Sequence, residues 1–328
     1  MTVELTLSAY HADITKPLID GEVQPDGINL TTESVFPPER FQRFFEAGEY
    51  DACEVSLASY VASRSDPERY PFTAIPVFTE KKFRHSFLYK HADADIEEPA
   101  DLEGKTVAIE SWDTAIGVWL RGIIREQYGL DLEAVTWKPR KPTDVPVEIP
   151  ERFDVDAPIS DGTGDLERHR ERFFAGEFDA AIDPAGPMFN AVMESDDAEL
   201  VFDDPIEAEK AYFRQEGIHP PMHVVAIRDE VLAAHPWVAE ELFDAFCESR
   251  DRCLEWNRSP SSHVSLPWFH LHRHEAREVL GDNIWEYGLT EQTRRELETF
   301  IEYADNQGLV GSPLDPEDLF VDATLDPR

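Results

Sequence analysis

The sequence predicts a two-lobed α/β protein. The chain has 328 residues, which is more than one hydrophobic core usually serves, so two lobes are expected. Strand-like and helix-like segments alternate along it, a pattern typical of the α/β class. Two short runs, at 45–54 and 174–183, share one layout: a helix end, a glycine, and an aspartate that opens a buried strand. This repetition indicates two similar α/β lobes.

The first ninety residues predict a succession of short strands and helices. Val3–Ala9 alternates apolar and polar side chains, as a half-buried strand does. The hydroxyl of Ser56 can accept a hydrogen bond from an early helical N–H, which predicts a helix start there. The predicted strands are 3–9, 28–34, 50–55, 72–78 and an extended run at 84–89; the predicted helices are 38–47 and 56–63.

The pattern then repeats with different loops. A helix is predicted over Thr114–Tyr128, with Gly129 as its C-terminal cap. Residues 139–165 are rich in Pro, Asp and Glu without a clear period, which predicts a long surface connection. The other predicted strands are 106–110, 135–138, 178–183 and 222–228, and the other predicted helices are 166–176, 236–256, 272–280 and 290–307.

The formal net charge of −38 restricts the possible partners. A nucleic-acid or anionic-membrane surface needs clustered cations, and no such cluster is visible, so neither partner is expected. The carboxylates are spread through every segment. Near molar salt the screening length falls to about 3 Å, so that repulsion between surface carboxylates costs little. We therefore expect a protein adapted to high salt.

Cysteine usage and the start of the chain indicate a reduced compartment. Cys53, Cys247 and Cys253 form too sparse a set for a disulfide framework. The chain enters a strand at once, without a basic or apolar leader. No run of eighteen apolar residues is present. We expect a cytoplasmic protein that is neither exported nor anchored, and the sequence leaves its oligomeric state open, a homo-oligomer included.

Polar residues at strand ends are the first candidates for ligand binding. Ligands of open α/β lobes sit beyond the carboxyl ends of strands, where helices begin. Tyr10 follows the first strand, and Ser56 and Ser59 flank a helix start. Thr114 opens a helix of the second lobe, just after Trp112, and exposed N–H groups there suit a carboxylate or phosphate. Simple helix capping is the alternative interpretation of such residues.

Three further residues have side chains suited to acid–base or anion chemistry. Arg84 can bind a carboxylate through two parallel hydrogen bonds, and its neighbour His85 can titrate near neutral pH. Because adjacent strand residues point to opposite faces, only one of the two should face a cleft directly. His223 lies in an otherwise apolar strand, where a polar side chain needs a partner or a function. A structural histidine held by hydrogen bonds is the alternative.

Residues 268–274 carry a second group of candidates. Trp268 and Trp112 can each stack on an aromatic ligand, and both suit a core equally well. His270, His272 and His274 would share one face of a strand and could bind a transition metal, but the segment runs into a helix and lacks supporting ligands, so we expect no metal site. Nucleotide, flavin and serine-nucleophile motifs are absent, and no cofactor is expected.

Several motifs, which occur in one order over nearly the whole chain, resemble those of the 4,5-dihydroxyphthalate decarboxylase family. The composition of the chain is also similar to that of haloarchaeal proteins in its acidity. The motifs are Glu54–Tyr60, Phe83–Ser86 with Tyr89, Gly217–Val225, His235–Val238, Leu266–Trp268 and Tyr287–Leu289.

The resemblance implies a type II periplasmic-binding-protein fold with a ligand cleft between its lobes. Lobe 1 would comprise residues 1–90 plus 215–328, and lobe 2 residues 91–214. It also implies decarboxylation of a hydroxylated aromatic acid of the phthalate type. Arg84 or the helix start at 111–114 would fix a carboxylate, while Glu54, His85 and His223 would share the roles of base and acid.

Two alternatives to this enzyme remain open at this point. One is a solute-binding component of an ABC transporter for a small anionic or aromatic ligand, since cleft closure needs no catalytic group. The other is a cytoplasmic biosynthetic enzyme or ligand sensor on the same fold. All of these share the expectation of a small anionic or aromatic carboxylate as ligand.

Overall fold

A computed structural model describes residues 2–161, 165–259, 261, 263–312 and 314–328. The strands are β1 (Val3–Ser8), β2 (Ile28–Glu33), β3 (Ala52–Ser56), β4 (Phe72–Ile75), β5 (Leu88–His91), β6 (Thr106–Ile109), β7 (Thr136–Pro139), β8 (Asp154–Val155), β9 (Ala180–Ile182), β10 (Ala198–Leu200) and β11 (His223–Arg228). The α-helices are α1 (Lys16–Ile19), α2 (Pro37–Phe45), α3 (Leu57–Ser63), α4 (Ala115–Tyr128), α5 (Leu166–Phe174), α6 (Gly186–Met193), α7 (Pro205–Glu216), α8 (Asp229–Ala234), α9 (Val238–Arg258), α10 (Phe269–Leu280) and α11 (Glu291–Asn306). None of these helices combines the length and apolarity needed to cross a bilayer.

The strands form two separate sheets, which confirms the α/β class. The first has the order β2-β1-β3-β11-β4, with β11 antiparallel to both of its neighbours. The second has the order β10-β5-β9-β6-β7-β8. The chain thus reaches the second sheet by Leu88 and returns to the first at His223. These passages lie near the proposed lobe boundaries, which themselves stay a prediction.

Most predicted elements are present, and one differs in kind. Helix α4 begins after Thr114, whose hydroxyl accepts the Gly117 N–H at 3.3 Å, and it ends at Gly129 with φ of 72°, as predicted. The predicted extended run at 84–89 instead contains a 3₁₀ turn over His85–Phe87, followed by β5. The turn is closed by a hydrogen bond from the Phe87 N–H to the Arg84 carbonyl at 3.0 Å.

The predicted surface connection at 139–165 is only partly a surface segment. Val145 and Phe153 are buried, and the Phe153 ring lies 5.2 Å from that of Trp112. A loop that contributes core side chains is fixed by packing, because apolar burial stabilises its position. Residues 162–164 of the connection lie outside the described residues.

Helices α4 and α11 join the two sheets through one continuous core. Trp119 of α4 packs on Phe300 and Tyr303 of α11, with ring centroids 5.3 and 5.7 Å apart. Gln307, just after α11, accepts the Arg121 Nε–H at 2.6 Å through its side-chain oxygen. The close approach depends on Gly122, because a Cβ there would lie 2.0–2.4 Å from carbons of the Tyr303 ring.

We predict that Gly122→Ala lowers the free energy of unfolding by about 1–3 kcal/mol, because the added methyl group overpacks this junction. Chemical denaturation followed by far-UV circular dichroism measures the change. Gly186→Ala is the matched control, since a Cβ at that helical position meets no atom within 4 Å. Equal stability of the two variants would show that α4 and α11 are not tightly packed.

Candidate functional site

A cleft of about 380 Å³ lies between the two sheets. Residues from both sheets line it: Tyr10, Glu54, Ser56, Arg84 and His223 on the first side, and Thr114 on the second. All six were sequence candidates. The fold therefore brings together residues that lie far apart in the sequence. The most distant of them, Tyr10 and His223, are 213 positions apart.

The N-terminal ends of several helices meet at this cleft. Pro37 of α2, Ala115 of α4 and Gly186 of α6 line its wall. They do so because parallel strands deliver their carboxyl ends, and hence the following helices, to one edge of a sheet. Unpaired N–H groups and the helix dipoles give this edge a partial positive charge. The cleft is therefore suited to an anionic group.

The central feature of the cleft is a pair formed by Glu54 and His223. In the antiparallel register of β3 and β11, His223 lies opposite Ser56, so that His223, Ser56 and Glu54 share one face of the sheet. His223 Nδ1 lies 2.5 Å from Glu54 Oε1. Since the carboxylate only accepts, Nδ1 carries the proton, which leaves Nε2 as the ring nitrogen free to exchange protons with a ligand.

Glu54 is buried and held in its charged form by three partners. The Tyr10 N–H donates to its Oε2 at 2.6 Å, and the guanidinium of Arg40 lies 3.3 Å from its Oε1. Burial by itself raises the pKa of Glu54, but Arg40, His223 and the Tyr10 N–H outweigh it and lower that pKa to about 2. Glu54 is thus a fixed anion that orients His223, and not a proton donor at neutral pH.

Arg84 places a cation beside the histidine. Its Nη2 donates to Glu80 Oε1 at 2.9 Å, and Glu80 Oε2 lies 3.5 Å from His223 Nδ1. Burial raises the pKa of Glu80, yet the guanidinium of Arg84 and the imidazole of His223 hold it below its ordinary value. The buried hydroxyls of Ser56 and Thr79 have no hydrogen-bond partner among the described residues. Both line the cleft and can bond a ligand.

Asp183 is the matching carboxyl group on the opposite wall. It follows β9 directly, lines the cleft, and its Oδ1 accepts the Ala185 N–H at 2.8 Å. Burial, with a smaller contribution from the charge of Glu110, raises the pKa of Asp183 to about 6. The two walls therefore carry one carboxyl group that stays ionised, Glu54, and one that takes up a proton readily.

Ser59 lies behind the cleft, where it joins the two sides. Its hydroxyl is 3.3 Å from Asp113 Oδ2 and 3.4 Å from Asp144 Oδ2. The Asp144 N–H also donates to Asp113 Oδ2, and Lys141 neutralises Asp144 at 2.6 Å. Burial and the neighbouring Asp144 raise the pKa of Asp113. Ser59 was predicted to bind a ligand in the cleft, but it is buried in a contact between the two sides and does not line the cleft.

Three other predicted residues are also placed away from the cleft wall. His85 is fully buried against Phe202 and Tyr212, and burial lowers its pKa to about 4. Trp112 packs in the core, where its indole N–H donates to the Gln307 carbonyl at 2.9 Å. Trp268 precedes α10 with 73% of its surface exposed.

The histidines at 270–274 belong to helix α10, where alternate residues point to different faces. They therefore do not share one face as they would in a strand. Among the described residues no group of three or more His, Cys, Asp or Glu side chains is placed to hold a metal ion.

Sequence reasoning missed Arg40, Glu80 and Asp183. Signals for two of them were present. Arg40 falls on the apolar face of α2, one position before Phe41 and four before Phe44, so its charge required a buried partner. Asp183 directly follows the buried strand of the second of the two similar runs, one position beyond Ile182, the counterpart of Glu54 when Gly48 and Gly176 are aligned, so the rule that strand ends face the cleft could have found it.

The chain is similar to two curated proteins. It is 30% identical to the 4,5-dihydroxyphthalate decarboxylase of Comamonas testosteroni over 333 aligned positions, covering 99% of this chain and 98% of that protein. It is 34% identical to the protein of the same name from Pseudomonas putida, over 52% of this chain and 67% of that protein. No family model matches the chain.

Among solved structures, the periplasmic sulfonate-binding protein SsuA from Methylobacillus flagellatus superposes with a TM-score of 0.58. The alignment covers 98% of this chain and 92% of that protein, at 11% identity. The likeness confirms the two-lobed periplasmic-binding-protein fold that the sequence predicted.

We predict that the stability contribution of Asp183 depends on pH. Its pKa of about 6 exceeds the value of about 3.9 for an unfolded aspartate, so the contribution is fully present below pH 4 and is lost as the pH rises through 6. In Asp183→Asn the group is neutral throughout. The free energy of unfolding of the variant relative to the parent should therefore rise by about 1–3 kcal/mol between pH 4 and pH 7.

Denaturant titrations at several pH values measure this difference. Asp26→Asn is the control, because Asp26 is exposed and its replacement should give a pH-independent difference. A flat difference for Asp183→Asn as well would show that the Asp183 carboxyl ionises normally.

Proposed function

This chain belongs to the 4,5-dihydroxyphthalate decarboxylase family, and on that premise we propose that it removes a carboxyl group as carbon dioxide from a hydroxylated aromatic acid of the phthalate type. The observation that carries the proposal is the Glu54–His223 pair, with 2.5 Å between Oε1 and Nδ1, on the cleft wall opposite Asp183. The pair supplies a base, and Asp183 supplies an acid on the facing wall. A protein that only binds its ligand needs neither.

The reaction requires proton transfers at two ends of the ring. A base removes the proton of a phenolic hydroxyl, and the electrons move into the ring. The ring carbon para to that hydroxyl then takes up a proton, and its carboxylate leaves as carbon dioxide while the ring regains aromaticity as a phenolate. The protonated base returns its proton to this phenolate. The net change is uptake of one proton and release of one carbon dioxide. Two proton-transfer groups on opposite sides of the cleft suit this separation.

His223 is the base in this proposal, and Asp183 the acid. Glu54 holds the proton on Nδ1 and stabilises the imidazolium that forms when Nε2 accepts the phenolic proton. Asp183 has a raised pKa, which an anionic ligand in the closed cleft raises further. The carboxyl groups of the two walls differ in proton affinity because Glu54 has cationic partners and Asp183 lies in a less compensated site.

Anion binding is supported by Arg84 and by the helix ends. A guanidinium can grip the remaining carboxylate of a phthalate-type substrate through parallel hydrogen bonds. The first turn of α4, at Thr114 and Ala115, faces the same cleft and offers backbone N–H groups. Phe41, Ile116 and Met222 supply apolar surface for the ring.

We also propose that the protein works in a salt-rich cytoplasm, and assays should therefore contain high salt. The support is the net charge of −38, whose self-repulsion falls as salt screens it.

We predict that His223→Asn lowers the turnover of 4,5-dihydroxyphthalate by about 10²–10⁴-fold, because Asn offers no titratable nitrogen. Glu54→Gln should also lower turnover, since an amide no longer stabilises the imidazolium. Carbon dioxide release under saturating substrate measures both effects. His272→Asn, on the exposed helix α10, is the matched control and should retain full turnover.

Unchanged turnover in His223→Asn would remove this mechanism. Tight binding of 4,5-dihydroxyphthalate by the parent protein without any carbon dioxide release would instead favour a solute-binding role.

We predict that Arg84→Lys raises the KM for the same substrate by about 10–100-fold with a smaller effect on kcat, because a single ammonium replaces a two-pronged hydrogen-bond donor. Arg43→Lys is the control: Arg43 is also ion-paired to a glutamate, at 3.1 Å, but lies on the outer part of α2. A kcat loss in Arg84→Lys with an unchanged KM would assign Arg84 to proton transfer, against the proposal.

A further inference from the structure

The first passage between the two sheets presents alternate side chains of residues 80–84 to the cleft. Those that line it are Glu80, Lys82 and Arg84. The two residues between them are directed the other way. Lys81 Nζ lies 2.7 Å from Glu296, and the Phe83 ring lies 4.9 Å from that of His219. This is the alternation of an extended chain, and it places two cations, two positions apart, on the side of the cleft.

These two cations, Lys82 and Arg84, lie against the same aromatic ring. Lys82 Nζ is 5.2 Å and Arg84 Cζ 5.4 Å from the centroid of Phe87. Lys82 is exposed, but the surrounding protein removes part of its hydration. That loss, with a smaller contribution from the charge of Arg84, lowers the pKa of Lys82, and Glu80 and Glu209 only partly offset it. An anion bound between the two cations relieves their mutual repulsion.

Lys82 has no carboxylate partner, although the protein is rich in carboxylates. The sequence has 68 Asp and Glu against 30 Lys and Arg. In the described part of the chain, six of the eight lysines are ion-paired to a carboxylate, and the exceptions are Lys82 and Lys105. The two arginines that line the cleft, Arg84 and Arg140, are each paired to a glutamate. Among the described residues, Lys82 is thus the cleft cation that still lacks a counter-charge.

We propose that Lys82 binds the second carboxylate of the substrate, so that Lys82 and Arg84 together select an aromatic ring with two adjacent carboxylates. The inference rests on the proposed function for the class of its ligand. A ring held by one carboxylate at Arg84 has its ortho carboxylate on the same edge, within reach of a flexible lysine two positions away. A para carboxylate points across the cleft instead.

The two cations have different roles in the proposed reaction. Arg84 holds the carboxylate that remains, so Lys82 holds the carboxylate that leaves. The leaving group loses its negative charge as carbon dioxide forms, and its contact with Lys82 weakens on the way to the transition state. Lys82 therefore contributes to substrate binding and not to the chemical step.

The test is isothermal titration calorimetry of the full chain at one fixed high salt concentration, with phthalate and its para isomer terephthalate as probes. Both probes carry the same charge, and neither has the phenolic hydroxyl that the proposed reaction needs. The parent should bind phthalate more tightly. Lys82→Gln should weaken phthalate binding about tenfold and terephthalate binding by less than about threefold, because one charged hydrogen bond is lost only with phthalate.

Two variants serve as controls. Lys105→Gln removes the same charge just before β6, away from the cleft wall, and should leave the affinities for both isomers unchanged. Lys82→Arg keeps a cation at the site and should restore most of the phthalate affinity.

Equal weakening of both isomers in Lys82→Gln would show that Lys82 contributes only a long-range charge, and unchanged phthalate binding would show that it makes no contact. Either result overturns the proposal, as does a parent that fails to prefer phthalate. None of these results bears on His223 and Asp183, whose roles depend on the turnover of 4,5-dihydroxyphthalate.

Steady-state kinetics with 4,5-dihydroxyphthalate separates binding from chemistry. Lys82→Gln should raise KM about tenfold without lowering kcat. A lower kcat with an unchanged KM would assign Lys82 to the chemical step, against the proposal.

A protection experiment on the parent protein needs no variant. Reductive methylation followed by peptide mass spectrometry gives the rate at which each lysine is modified. Phthalate should slow the modification of Lys82 several-fold more than terephthalate does, while Lys105 should react at one rate throughout. Equal rates for Lys82 with and without phthalate would also overturn the proposal.

Discussion

A buried carboxylate is stable only when other groups compensate its charge, and the cleft is organised around that requirement at Glu54. Its partners come from three different elements: Tyr10 after β1, Arg40 in α2 and His223 in β11. Meeting the needs of one side chain therefore fixes the relative positions of two strand ends and a helix. The same contacts set the tautomer of His223, so that structural compensation and proposed chemistry share one set of hydrogen bonds.

The cleft is rich in carboxyl groups and yet suited to an anion, because nearby cations compensate most of them and the raised pKa of Asp183 lets that group take up a proton more readily than an ordinary aspartate. This balance leaves the helix ends and Arg84 as the features that an incoming carboxylate meets. The compensated groups are Glu54 with Arg40, Glu80 with Arg84, Glu110 with Arg140, and Asp144 with Lys141.

Sequence patterns predicted the fold and about half of the site, for physical reasons. The α/β class follows from hydrophobic periodicity, and Thr114, Ser56 and Tyr10 follow from the rule that strand ends face the cleft. Arg84 and His85 were both candidates from the sequence. However, a 3₁₀ turn at His85–Phe87 stands where a strand was expected, and it directs the His85 side chain into the core. A turn closed by one backbone hydrogen bond leaves no periodic signal.

The missed residues depend on contacts that are distant in the chain. Arg40 and Glu54 pair across 14 positions, and Glu54 and His223 across 169. The first pair depends on the packing of helix α2 against β3, and the second on the register of β3 and β11; local patterns specify neither. Asp183 is the exception, since its place directly after the buried strand of the second run is visible in the sequence alone.

The tautomer of His223 tests the central claim most directly. Selective ¹⁵N-histidine labelling, with His223→Asn to assign the signal, gives the chemical shifts of both ring nitrogens by NMR. At a pH where the ring is neutral, Nδ1 should carry the proton and Nε2 should be unprotonated, and Glu54→Gln should shift this balance. A proton on Nε2 in the parent protein would show that Glu54 does not hold the imidazole, and the proposed base would then have no free nitrogen with which to act.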